Sequence, residues 1–109
     1  MSINAGELNS RVTIRLRRDH PSMTMGLEST YHDEIARWAK IAPVGTGIYI
    51  ESVQADARVT HRVTLRHIDG ITTDHEIVHK NVIYAVRRSA PLNGEPVFTI
   101  IEVEELRHE

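Results

Sequence analysis

His75-Glu76-Ile77-Val78-His79 is a literal H-E-x-x-H. On a helix this spacing puts two imidazoles on one face to hold zinc, with the glutamate as general base. Thr73-Asp74-His75-Glu76 even spells a capping box. The flanks argue the other way. Ile77-Val78 and Val82-Ile83-Tyr84-Ala85-Val86 are rich in β-branched residues, which favour strands. On a strand, residues four apart are separated by roughly 13 Å, and two such histidines cannot share one metal. No third ligand follows at the metzincin spacing, because Lys80-Asn81-Val82 come next; Glu95, Glu102 or Glu104 would have to be supplied by the fold. Seven His and ten Glu in 109 residues yield such a match by chance on the order of 0.04 times per sequence. The motif reads as surface histidines on a strand. A small zinc-dependent hydrolase using His75, Glu76 and His79 is the alternative.

The remaining chemistry-bearing residues form no recognisable constellation. His20, His32, His61, His67 and His108 are scattered, and read as satisfied or solvated rather than ligating. G-x-S-x-G, the P-loop and G-x-G-x-x-G are all missing, and Gly45-Thr46-Gly47 reads as a turn. Zero cysteines exclude disulfides, iron–sulfur clusters and thiolate zinc sites. The arginines are more suggestive. Arg11, Arg15 and Arg17 share one strand face, continued by Arg18, and Arg62 and Arg66 share another. They fit either cross-strand pairing with acids such as Glu102, Glu104 and Glu105, or a basic patch facing an acidic partner or DNA. A net charge of −2 favours pairing. An OB-like nucleic-acid-binding module using Arg15, Arg17, Arg62 and Arg66 is the second alternative, and one Trp, three Tyr and one Phe give it few rings to stack bases on.

The elements that must position these residues have the strand period of two. Val12, Ile14 and Leu16 alternate with Arg11, Thr13, Arg15 and Arg17. Val59, Val63 and Leu65 alternate with Thr60, Arg62, Thr64 and Arg66, with His61 and His67 on the apolar side. Val82, Tyr84 and Val86 mark another strand, and Val97–Val103 a further one. Glu34–Ala42 is also strand-like, although Trp38 and Ile41 have opposite parity; a bulge or burial on both faces would reconcile them. Residues 18–33 show no period and read as a long mobile loop. Residues 48–57 fit a short helix with Ile50, Val53 and Ala57 along one stripe, or a continued strand. Val12, Ile14, Leu16, Val63, Leu65 and Val86 are the expected core.

Together these segments predict an all-β chain: a small antiparallel β-barrel with a long loop after the first strand and one short helix. With 109 residues, 40% apolar and 26% charged, residues 1–109 are expected to form a single domain with a real core. No apolar run reaches the ~20 residues that span a bilayer, and the polar start MSINAGELNSR lacks a signal core. A soluble intracellular chain is expected.

Gly6-Glu7-Leu8, Arg11-Val12-Thr13-Ile14, Trp38-Ala39-Lys40-Ile41, His61-Arg62-Val63-Thr64-Leu65-Arg66, Gly70-Ile71, Ile83-Tyr84-Ala85-Val86 and Ile101-Glu102-Val103-Glu104-Glu105 follow one another in an order and spacing that carry more than any single piece. In that order the chain resembles the head–tail joining family of tailed bacteriophages, the head-closure or stopper proteins, from about residue 5 to 105. Two departures stand out. Tyr31 occupies the place of a Trp after the loop glycine, and Lys80-Asn81 replaces a glycine-containing turn.

The resemblance implies a structural virion protein with no enzymatic activity and no cofactor. It implies a ring in the phage neck, below the portal and its adaptor and above the tail, that closes the DNA-filled head and permits tail attachment. Its partners would be the portal or adaptor proteins and the tail-side proteins, with packaged DNA passing through the ring and no membrane involved. The chain would assemble in the bacterial host cytoplasm and be a monomer when isolated. In that picture Arg18, Asp19, His20, Met23 and Met25 lie on the loop that meets partners or the DNA channel. Arg15, Arg17, Arg62 and Arg66 would form an interface or DNA-facing surface.

Overall fold

The computed structural model describes residues 5–21, 26–54 and 58–108. Alternating apolar residues build six strands: β1 (Ser10–Pro21), β2 (Leu27–Pro43), β3 (His61–Arg66), β4 (His75–His79), β5 (Val82–Pro91) and β6 (Phe98–His108). Helix α1 (Thr46–Gln54) sits between β2 and β3, and 3-10 turns cover Ala5–Glu7 and Leu92–Gly94. The strands close into a barrel in the order β1-β2-β3-β6-β5-β4, every neighbouring pair antiparallel. Closure pairs every strand inside the barrel on both sides and removes its edges.

One residue in two points inward, and these side chains fill the barrel. Val12, Ile14, Ala39, Val63, Leu65, Ile77, Tyr84, Val86, Ile101 and Val103 form the core, with Ile41, Ile68, Ile71 and Val82 packed on it. Five of the six expected core residues are fully enclosed. Leu16 is only half-buried, because a bulge shifts the β1–β2 register between Ile14 and Leu16 and the strand then leaves the barrel. Asp33 in β2 takes up this bulge with φ 53, a left-handed conformation that Asp tolerates better than most residues.

The excursion after the first strand is present, but residues 18–21 and 27–33 are strand rather than loop. They continue the β1–β2 hairpin as a two-stranded ribbon, with Arg18 opposite Thr30, Asp19 opposite Ser29, His20 opposite Glu28 and Pro21 opposite Leu27. Among its described side chains Arg18, Asp19, Tyr31 and His32 are exposed, so no apolar face marks the ribbon and no hydrophobic period appears. Met23 and Met25 lie outside the described residues.

Trp38 also differs from expectation. No bulge lies beside it: Ala39 is fully buried, Ile41 packs on the core, and Trp38 points outward, 53% exposed. Residues 46–54 are helical, as the Ile50/Val53 stripe predicts, yet that stripe is exposed instead of packed inward. Lys80 adopts φ 55 in the tight β4–β5 turn, the position where glycine is the usual choice.

Candidate interaction surfaces of the barrel wall

The H-E-x-x-H segment is strand β4. Ile77 points into the core, and Glu76 faces the outer wall. There Glu76 is buried beneath two arginines: Oε1 accepts from Arg15 Nε at 3.2 Å and Nη2 at 3.1 Å, and Oε2 accepts from Arg17 Nη1 at 3.5 Å. β1 and β4 are neighbours, with Arg15 directly opposite Glu76, so the contact follows from register. The histidines are engaged locally and apart. His75 Nδ1 accepts from the Thr72 backbone N–H at 3.1 Å, while His79 Nδ1 donates to the Arg11 carbonyl at 3.2 Å. Among the described residues no group of three or more His, Cys, Asp or Glu is placed to hold a metal ion. Glu76 acts here as an ion-pair hub, and the helical zinc geometry is lost.

The same outer wall gathers aromatic rings under the arginines. The Arg15 guanidinium stacks 3.7 Å from the centre of Tyr31, and Arg11 lies 5.3 Å from that of Trp38. Arg17 also bonds Asp19 at 3.0 Å. That hydrogen bond pushes the Arg17 pKa further up, against the opposing effect of burial. The wall of β1, β2 and β4 thus carries Arg15 and Arg17 paired with Glu76 and Asp19, beside two half-exposed rings covered by Arg11 and Arg15.

The second arginine group is arranged likewise. Glu102 on β6 accepts from Arg88 Nε at 2.8 Å and pairs with Arg62 Nη2 at 3.6 Å. Arg87 pairs with Glu104 beside it. Arg66 and Arg18 are exposed, and neither forms an ion pair among the described residues. Of His20 only the backbone position in β1 is described. The sequence-predicted set is therefore split: Arg15, Arg17 and Asp19 meet on one wall, Arg62 lies on β3, and Arg18 and His20 run out along the ribbon. The Glu102 and Glu104 partners were legible from the charge pattern. Glu76 was not, because its role depends on a strand neighbour 61 residues away.

Inside, His61 packs edge-on against Tyr84 with ring centres 5.3 Å apart. Burial, and secondarily the nearby Glu105 carboxylate, push the Tyr84 hydroxyl pKa up. His67 bridges Thr99 Oγ1 at 3.2 Å and Asp69 Oδ1 at 3.0 Å. These contacts tie the barrel together.

A model of the phage head completion proteins matches residues 3–106. The chain belongs to the phage head completion protein family. A search of curated proteins found no match. Among solved structures, the fold is similar to the solution structure of protein SF1141 from Shigella flexneri 2a, at 21% identity and a TM-score of 0.70, over 94% of this chain and 96% of that one. The phage head completion family is a structural family of virion components that interact with other head and tail proteins. A wall of paired charges around half-exposed aromatic rings suits such contacts, since it offers both polar register and apolar area.

Proposed function

We propose that this head completion protein is a subunit of a ring in the phage neck, between the portal or adaptor and the tail, that closes the DNA-filled head and permits tail attachment. It does so as one barrel domain spanning residues 1–109, without catalysis or a cofactor, and assembles in the bacterial host cytoplasm. The observation that carries this reading, given the family, is the β1–β2 ribbon. Two strands that leave a closed barrel stretch the molecule to 50 Å along one axis, against 31 and 25 Å along the others. Barrels set side by side in a ring would aim such ribbons at a common channel or at the next protein in the stack.

In this arrangement the barrel supplies rigidity, and the ribbon carries Arg18, Asp19 and His20 toward partners or packaged DNA, with Met23 and Met25 in the segment beyond. The paired states of Arg15, Arg17 and Arg62 make their walls sites for protein contact, whereas Arg66 and Arg18, exposed and without an ion pair among the described residues, offer charge for phosphate. Replacing residues 20–26 by a short Gly/Ser linker tests the reading. The melting temperature should stay nearly unchanged, since little core is lost. Complementation should then give heads that fill with DNA but leak it or fail to accept tails. Full infectivity from that variant, or a single copy of the protein per particle, would overturn the proposal.

A further inference from the structure

Helix α1 presents apolar side chains outward: Tyr49, Ile50 and Val53 are 39%, 50% and 40% exposed. Its C-terminal end borders the barrel. Val53 lines an open cleft with Arg58, Arg87 and Glu104, which places it over the outer wall of β5 and β6. Going round the barrel, β5 is three strands from β2 and β6 three strands from β1. Trp38 and Arg11 stand outward on β1–β2, so the two apolar places occupy opposite walls of one barrel.

We infer that the α1 face of one copy seats on the Trp38–Arg11 wall of a second copy, a head-to-tail contact that repeats around the ring. This deepens the ring reading and rests on it. Three features select a second copy as the occupant. Two unlike patches on opposite walls suit a heterologous contact, in which each molecule uses one patch on each side; a two-fold dimer would use one patch twice. The charges match: Glu51 is exposed on α1 just past Ile50 and is the one carboxylate of the helix, which has no Lys or Arg, while Arg11 covers Trp38 on the facing wall. The sizes also agree. The three α1 side chains offer on the order of 250 Å² of apolar surface, far below the roughly 800 Å² per partner that holds a free pair together. Such a contact is too small to persist in dilute solution and adequate where every copy makes it twice on a common template.

Disulfide trapping tests the contact, because the chain has no cysteine of its own. Ile50→Cys places a thiol on α1, and Ala36→Cys places one on the outward face of β2, two residues from Trp38 and opposite Thr13. The full chain carrying both substitutions, oxidised at millimolar concentration, should give a ladder of dimers, trimers and higher multimers. A mixture of the two single variants should stop at the heterodimer. Glu51→Arg should reduce the yield several-fold, and Arg11→Glu on the facing copy should restore it. A double variant that cross-links no better than Lys80→Cys paired with Ala36→Cys would overturn the inference, as would Ile50→Cys alone dimerising as strongly as the mixture. Counting copies per particle separates the two readings. Several copies per head without a ladder refutes this contact and leaves the ring intact, whereas a single copy refutes both.

Discussion

Replacing Glu76 by Gln separates the two roles this residue could have, structural hub or general base. The Glu76 side chain is 7% exposed and Arg15 14%, with 3.1 Å between their charged atoms. At that distance the attraction is about 5 kcal/mol for an effective dielectric of 20, before the cost of removing both ions from water. Removing one partner of a buried pair typically costs ~3–5 kcal/mol, because the other charge stays buried without compensation. Arg15 retains some solvent access, and the second arm, to a 43% exposed Arg17, adds only ~0–1 kcal/mol. Glu76→Gln should therefore cost about 2–3 kcal/mol, which lowers the melting temperature of a domain this size by roughly 10–15 °C. Thermal unfolding followed by circular dichroism reads this directly. A cycle with Arg15→Met adds the decisive comparison: the double variant should be no less stable than the worse single variant, since the stranded charge is gone. A Glu76→Gln protein melting within about 2 °C of the parent, or strictly additive losses in the cycle, would refute the hub.

Four further outcomes follow from the same structure. Leu65, fully enclosed in the barrel, should cost ~2–5 kcal/mol when cut to Ala, measured by urea unfolding. Lys80→Gly should stabilise the fold by about 1 kcal/mol, because the positive φ at the β4–β5 turn strains every side chain but glycine; a drop in melting temperature would contradict this. Tyr84 has its pKa raised in the folded state, so its contribution is complete below the ordinary tyrosine value of about 10 and is lost as pH rises through the higher folded value. Melting between pH 9 and 12 should steepen in the parent and flatten in Tyr84→Phe. The isolated protein should run as a monomer at micromolar concentration in light scattering, the α1 and Trp38 patches each being too small to hold a dimer.

The barrel was legible wherever a strand has one wet and one dry face. Val12 and Ile14 alternating with Arg11 and Thr13, or Val63 and Leu65 with Arg62 and Thr64, state both the strand and its orientation. The ribbon was not: Arg18, Asp19, Tyr31 and His32 are all exposed on it and give no alternation, although Arg18–Pro21 pair with Leu27–Thr30 as regularly as the strands inside the barrel. Trp38 misled through its size: a large ring suggests burial, while Ala39 beside it holds the interior position. The Ile50 and Val53 stripe announced a helix but not its exposure, since an apolar stripe is the same whether it meets its own barrel or another molecule. Glu76 was hidden by its motif. Arg15 and Arg17 are remote in sequence, and only the β1–β4 register shows that they converge on it.

β1 and β2 run unbroken from the barrel into the ribbon, and that continuity has a mechanical consequence. A load applied along the ribbon meets one irregularity, the bulge between Ile14 and Leu16, and otherwise passes as tension or compression along two strands into the sheet. Inside the barrel those strands are held by hydrogen bonds that lie across the direction of pull. They are stressed side by side in shear, and the whole β1–β4 and β2–β3 registers must slip together before any one of them yields. The Arg15–Glu76 clamp bolts the first of these seams, which is also a short one, four residue pairs from Thr13 to Leu16. Under force the molecule should act as a lever set in a tube, with the short β1–β4 seam expected to be among the first to yield.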